Sequence, residues 1–171
     1  MDQSFVETMT RYVERQKNMH ELVRLGFADI DQILTIEEAV YSHPWSRGNF
    51  SDSLMNGYDA FGLRDAEQQL ICYFLVMPVM EELHLLNFAV RKESQKQGYA
   101  SAMLKMMHEY AKERGFVSIL LEVRRSNYRA IEVYLQDGFR EIGRRKAYYP
   151  AEGDTREDAI VMRRLIDAPN E

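Results

Sequence analysis

The stretch from Leu83 to Val123 constrains the fold more than any other part of this chain. Leu83-His-Leu-Leu-Asn-Phe-Ala-Val90 is an apolar segment of strand type. It leads through Gln95-Lys-Gln-Gly-Tyr-Ala100 into a predicted helix whose Ala100, Met103, Leu104, Met107 and Ala111 share one face. A basic last turn and a glycine, Arg114-Gly115, end that helix. Ser118-Ile-Leu-Leu-Glu-Val123 follows as a strand of the buried type. Strands joined in this way within one sheet run parallel, with a right-handed connection. The chain is therefore expected to be an α/β protein built on one β-α-β crossover.

Shorter elements flank the crossover. Glu21–Leu25 alternates polar and apolar residues, as a strand does. Asp29 is placed to cap a helix that carries Ile30, Ile33, Leu34 and Ile36 and ends near Val40. The turn Ser42-His-Pro-Trp45 precedes Ser46, a cap for a second helix ending near Met55. Ala60–Arg64, Leu70–Met77 and Leu83–Val90 read as strands joined by short polar or proline turns, hence as antiparallel neighbours. Beyond the crossover, Asn127–Asp137 is predicted as a helix closed by Gly138. Arg140–Ala147 and Ala159–Leu165 form a final strand pair. The expected fold is a mixed α/β sheet, mostly antiparallel, with one parallel pair and flanking helices.

Composition fits a single folded domain, with 171 residues of which 46% are hydrophobic and 29% charged. Residues 19–167 are taken as that domain. Residues 1–18 stand apart, with Phe5, Met9, Tyr12 and Val13 at roughly helical spacing. They read either as a loose or surface-lying extension or as a helix for a partner. The balance of 22 basic and 27 acidic residues, a net charge of −5, argues against nucleic-acid binding by bulk charge. One cysteine, Cys72, excludes an internal disulfide framework and a multi-cysteine zinc site. The longest apolar run, Leu70–Met80, contains Pro78 and falls short of the ~20 residues a membrane-spanning helix needs. No basic head precedes an apolar block at the N-terminus, so a soluble, cytoplasmic protein is expected.

A few residues are equipped for chemistry. Gly98 and Ala100 are small and let a ligand approach the backbone where the crossover helix begins. The unpaired N–H groups and the dipole of a helix start favour a pyrophosphate there, and Lys96 adds a positive rim. No Gly-Lys-Ser/Thr follows, which excludes the nucleotide-triphosphatase loop, and the dinucleotide fingerprint lacks its other glycines. An ordinary strand-to-helix turn is the competing reading. Glu122 is a lone carboxylate in an apolar strand, on the face of Leu120 and Arg124, at the end where parallel strands bind ligands. It is either a general base or the ion-pair partner of Arg124 or Arg125. Tyr134 lies two helical turns after Asn127, with Ala130 between them, and is either a proton donor or a core tyrosine. His20, His43, His84 and His108 show no ligand spacing, so no metal is expected. Cys72 sits mid-strand in apolar company and reads as an inert thiol. Arg144-Arg-Lys146 reads as a solvated edge or as a grip on an acidic group.

Gln95-x-x-Gly98-x-Ala100 and the spaced set Asn127, Ala130, Tyr134, Gly138 and Phe139 resemble the signature of the GNAT family of acetyl-CoA-dependent N-acetyltransferases. His43-Pro-Trp-Ser46, Asn87-Phe-Ala-Val90, Leu121-Glu-Val-Arg124, Ser126-Asn127, Tyr148-Tyr-Pro150 and Arg156-Glu-Asp-Ala-Ile160 are similar to members that acetylate the N-terminal alanine of a ribosomal protein. The likeness extends in order from about His20 to Leu165. It implies a V-shaped sheet whose parallel strands splay at one end to admit acetyl-CoA. It also implies that main-chain groups of Phe88, Ala89 and Val90 meet the pantetheine arm and thioester. Lys96, Gln97, Gly98, Tyr99, Ala100 and Ser101 would hold the pyrophosphate, Asn127 would touch the cofactor further along, and Gln95 would brace the loop. By the same resemblance Glu122 is the proton acceptor and Tyr134 the proton donor. The partner is then the basic N-terminal peptide of a small-subunit ribosomal protein, with neither nucleic acid nor membrane involved. The acidic stretch Glu152, Asp154, Glu157 and Asp158, beside Tyr148 and Tyr149, is a candidate seat for that peptide. The alternatives are a different amine (a protein lysine, a polyamine or an aminoglycoside) and a non-catalytic acyl-CoA-binding module.

Overall fold

The computed structural model describes residues 20–167, and the expectation for residues 1–18 lies outside them. Two compact units are distinguished. Among the described residues, one holds residues 20–76 together with Asn87–Met106; the other holds Met77–Leu86 together with residues 107–167.

In the first unit, apolar alternation sets the strand pairing. β1 (Glu21–Arg24), β2 (Asp59–Arg64) and β3 (Leu70–Val79) pair antiparallel, with Leu22 opposite Leu63 and Gly62 opposite Tyr73. Every residue of β3 from Leu70 to Val76 is buried, which is why the segment is an unbroken apolar run instead of an alternating one. The strand continues past its expected end at Met77, through an exposed Pro78 to Val79. Helices α1 (Ile30–Val40) and α2 (Arg47–Met55) bring Ile30, Ile33, Ile36 and Phe50 to the core.

Their caps differ. Ser46 closes a capping box on α2: its Oγ accepts the Asn49 N–H at 3.2 Å and Asn49 Oδ1 accepts the Ser46 N–H at 2.9 Å. Asp29 stands at the N-cap of α1 but makes no cap bond with its side chain. A short 3-10 turn, Phe27–Asp29, precedes that helix and directs the carboxylate elsewhere. It accepts the Gly26 N–H at 2.8 Å and pairs with Arg64 at 2.6 Å.

In the second unit, β4 (Glu82–Val90, its last residues belonging to the first unit) runs parallel to β5 (Ser118–Arg124). Leu83 faces Ile119 and Leu85 faces Leu121, with α3 (Tyr99–Glu113) as the connection. β7 (Arg156–Leu165) pairs antiparallel with β5, Glu122 facing Val161, and also with β6 (Arg140–Pro150). α4 (Tyr128–Asp137) ends at Gly138, whose φ of 106° is left-handed and suits glycine. Ile119, Leu121, Phe139 and Met162 fill the interior.

β6 and β7 are longer than the sequence suggests. Ala147, at φ 47°, sits in a bulge after which pairing resumes at Tyr149–Glu157 and Pro150–Arg156. β6 is exposed along most of its length, so its Arg144-Arg-Lys146 run is a solvated, charged strand edge. The strand order is β1-β2-β3-β4 in the first unit and β3-β4-β5-β7-β6 in the second, a mixed sheet in which β4 and β5 are the parallel pair. No helix among the described residues is long and apolar enough to cross a membrane.

Gly62 in β2 has no room for a side chain. A Cβ there would lie 2.8 Å from the Cys72 carbonyl oxygen and 2.6 Å from Leu70 Cδ1. The carbonyl belongs to a paired strand and cannot yield, so Gly62→Ala is expected to destabilise the protein by about 1–3 kcal/mol. Chemical denaturation of the two proteins checks this.

Candidate active site

The turn before α3 is shaped by its backbone. Arg91 N–H donates to Ile71 O at 2.7 Å and holds the end of β4, and a 3-10 turn, Lys92–Ser94, follows. Gln95 Nε2 then donates to Val90 O at 3.1 Å, tying the turn back to the strand. Lys96 and Gly98 take positive φ values of 61° and 84°, which curl the chain immediately ahead of the helix. The first helical bond runs from Ala102 N–H to Gly98 O at 3.1 Å. The amides of Gly98, Ala100 and Ser101 precede it and find no acceptor within α3.

Such a curl of N–H groups at a helix start is a seat for phosphate, and the exposed Lys96 carries a matching charge. Tyr99 is buried, its hydroxyl 3.1 Å from His20 Nε2, so it has only main chain to offer a ligand. In β4, Phe88 O accepts from the Tyr41 hydroxyl and Val90 O from Gln95. The curled turn and the exposed Lys96 suit an anion such as a pyrophosphate.

The second unit carries the titratable groups. Alternation in β5 buries Ile119, Leu121 and Val123 and turns Leu120, Glu122 and Arg124 to the less buried face. Glu122 is ion-paired, but not with the neighbours the sequence suggests. Arg145 Nε of β6 lies 2.8 Å from its Oε1, and the Tyr148 hydroxyl donates to the same carboxylate. The two partners come together because β7 sets β5 and β6 on either side of itself, with Val161 facing Glu122 and Ala159 facing Arg145. Arg145 is 57% exposed, so an incoming group displaces it at small cost.

Tyr149 lies within electrostatic reach of both Glu122 and Tyr134. Burial, then the Glu122 charge, pushes the Tyr149 hydroxyl up to about 12. Burial, then Tyr149, holds Tyr134 well above the usual tyrosine range. Tyr134 is 8% exposed and packs on Phe139 at 5.6 Å between ring centroids, so it is a core tyrosine that also keeps its proton. Asn127 is the N-cap of α4 and not its first residue, its Oδ1 accepting the Ala130 N–H at 3.3 Å.

Part of the acidic stretch is already committed. Glu157 pairs with Arg124 at 2.9 Å and accepts the Ser126 N–H, while Asp158 accepts the Ala147 N–H at 2.9 Å. Glu152 and Asp154 remain exposed in the turn between β6 and β7.

The structure thus groups Phe88–Val90 with Lys96–Ser101 in one unit and Glu122, Asn127 and Tyr134 in the other. Cys72 is fully buried, and burial pushes its thiol up to about 12, as an inert thiol requires. No group of histidine, cysteine or carboxylate side chains among the described residues is arranged to hold a metal ion. The sequence reading passed over Glu37. This carboxylate is 2% exposed and receives hydrogen bonds from the Tyr73 hydroxyl, Asn87 Nδ2 and Trp45 N–H. Its signal was present, since Glu37 shares the helical spacing of Ile30 and Ile33 and so lies on the apolar face of α1.

Comparison with known proteins identifies the family. The model of the "Acetyltransferase (GNAT) family" matches residues 30–139. The [ribosomal protein bS18]-alanine N-acetyltransferase of Haemophilus ducreyi is 34% identical over 135 residues, which cover 78% of this chain and 92% of that protein. The enzyme of the same name from Escherichia coli K12 is 33% identical over 144 residues, covering 84% and 96%. The crystal structure of the E. coli ribosomal-protein-S18-alanine N-acetyltransferase superposes with a TM-score of 0.81, over 90% of this chain and 97% of that one.

Arg124 holds the base of the β6–β7 turn through Glu157, through Pro150 O at 2.7 Å and through the Tyr149 ring at 4.6 Å. Arg124→Met is expected to cost about 1 kcal/mol, because a half-buried carboxylate loses its charged donor and keeps only the Ser126 N–H. Amide exchange should quicken from Ala147 to Glu157 before it does in the rest of the second unit. Thermal melting and hydrogen-exchange mass spectrometry measure the two effects.

Proposed function

The chain belongs to the GNAT family of acetyltransferases, and from that premise we propose that it transfers the acetyl group of acetyl-CoA to the N-terminal alanine of ribosomal protein bS18, as a RimI-type enzyme. The observation that carries the substrate assignment is likeness, over nearly their whole length, to enzymes with that activity. A cytoplasmic enzyme working on a newly made ribosomal protein accords with this reading, and residues 19–167 act as the one acetyltransferase domain.

Acetyl-CoA supplies an acetyl thioester. In this proposal the turn Lys96-Gln97-Gly98-Tyr99-Ala100-Ser101 holds its pyrophosphate, the N–H groups of Phe88, Ala89 and Val90 face the pantetheine and the acetyl oxygen, and Asn127 adds a contact through its amide nitrogen. An amine attacks only when neutral. A peptide α-amine has a pKa of ~7.7–8.0 against ~10.4 for lysine, so deprotonation near neutrality costs about 1 kcal/mol in one case and over ~4 in the other. An N-terminal alanine therefore asks little of a base.

Glu122 accepts the proton of the attacking amine, directly or through a water, as the ammonium takes the place of Arg145. Tyr134 returns a proton to the departing sulfur. Burial makes Tyr134 a weaker acid than a free tyrosine. Transfer is balanced only where the sulfur is desolvated too, because desolvation raises the proton affinity of a thiolate. Exposed Glu152 and Asp154 receive the basic tail of the peptide.

The test is acetyl transfer to a peptide that begins with alanine, compared with its N-blocked twin and with a lysine peptide, read by mass spectrometry. Acetylation of the free α-amine alone is expected. Acetylation of lysine or a polyamine instead would move the assignment to another amine, and cofactor binding without turnover would leave only a binding module. Glu122→Gln and Tyr134→Phe should each lower kcat by about 10²-fold or more without a matching loss of stability. Lysine at both 152 and 154 should raise KM for the basic peptide; an unchanged KM would remove those residues from its recognition.

A further inference from the structure

Glu37 is the only aspartate or glutamate among the described residues that is buried, and no step above uses it. Its donors come from separate elements. The Tyr73 hydroxyl of β3 donates to Oε2; Asn87 Nδ2 of β4 and the Trp45 N–H each reach Oε1 at 3.1 Å. Asn87 adjoins Phe88, whose carbonyl accepts from the hydroxyl of Tyr41, the residue after α1. The end of α1 thus grips β4 at adjacent residues and holds the His43–Trp45 turn by its backbone. The Trp45 ring lies 5.2 Å from Phe50, which lies 6.1 Å from Tyr73, so the turn is packed against the same strand.

We propose that Glu37 is a positioning residue for acetyl transfer: through the Asn87 side chain it steadies β4 just ahead of Phe88–Val90 and it fixes the turn at Trp45, so that its loss slows turnover more than it weakens cofactor binding. Stability alone is a weak reason for such a group. A carboxylate taken out of water recovers its desolvation cost poorly, and an apolar residue of like volume serves a core as well or better. What a carboxylate adds is direction, since one group fixes three donors at set angles. Burial, then the Glu37 charge, holds the Tyr73 hydroxyl far above its ordinary range, so it remains a donor. None of the Glu37 hydrogen bonds reaches Lys96–Ser101, so the proposed pyrophosphate contacts are expected to outlast the loss of Glu37. The inference rests on the role proposed above for Phe88–Val90.

The full-length enzyme is assayed as Glu37→Ala, Glu37→Gln and Leu22→Ala, the last a core change elsewhere in the first unit. At a temperature where each is folded, Glu37→Ala is expected to lose about tenfold or more in kcat while its dissociation constant for acetyl-CoA stays within about threefold. Glu37→Gln, which keeps an acceptor oxygen for Asn87 and Trp45, should recover most of that loss, and Leu22→Ala should keep its kcat. Trp45 is the only tryptophan, so acrylamide quenching reports the turn directly. Quenching should rise in Glu37→Ala and not in Leu22→Ala.

Wild-type kcat in folded Glu37→Ala overturns the proposal, and so does an equal loss in Leu22→Ala. Should Glu37→Ala fail to fold, Asn87→Ala cuts the β4 arm alone and is judged by the same criteria. An unsubstituted enzyme that ignores the alanine peptide refutes the substrate assignment only. The comparison is then made with the amine that is acetylated, and if none is, unchanged Trp45 quenching overturns the inference.

Discussion

β4 and β5 can hydrogen-bond side by side in one direction only if the chain returns along the sheet between them, and α3 is that return. Much follows from this. A helix that begins soon after a strand ends must start near the strand's C-terminal end, where its unpaired N–H groups lie. The positive φ values at Lys96 and Gly98 make the tight change of direction, and Gln95 ties it to Val90. Glu122 follows the paired residues, near the C-terminal end of β5.

Around that carboxylate the second unit arranges weak acids and displaceable charges. Arg145 and Tyr148 occupy Glu122, but the arginine is largely in solvent and its pairing is worth little. Tyr149 and Tyr134 are both pushed up by burial, so each is a hydrogen-bond donor at any ordinary pH. Arg124, enclosed by Glu157, Pro150 and Tyr149, is the fixed member of the set. The Arg124 pair is thus held from several sides, whereas the Arg145 pair lies largely in solvent.

In the first unit the balance is different. Glu37 is dry and fully engaged, and its contacts run to backbone at Trp45 and to the side chain beside Phe88. The carboxylate of Glu122 is paired with an exposed arginine, whereas that of Glu37 is enclosed with its donors. The difference comes from burial: a half-exposed ion pair is screened, while a buried acceptor with several donors resists any single change.

Sequence by itself determined the order of elements, the parallel crossover, the glycine-bearing turn and the inward alternation of β5, because each follows from a local period or from the backbone freedom of particular residues such as Gly98 and Gly138. It also marked Gln95 as a brace and Cys72 as an inert thiol. The partner of Glu122 was beyond its reach. Arg124 and Arg125 are near in sequence, but β7 intervenes between β5 and β6, and this register delivers Arg145. Asp29 and Asn127 show the same limit at helix ends, where a preceding 3-10 turn diverts one side chain from its cap and the other caps its helix from outside. The division of the acidic stretch between internal pairing and solvent likewise depended on the bulge at Ala147. Local periodicity decides which face a residue occupies, but charged side chains reach across strands, and only the assembled register brings their partners within range.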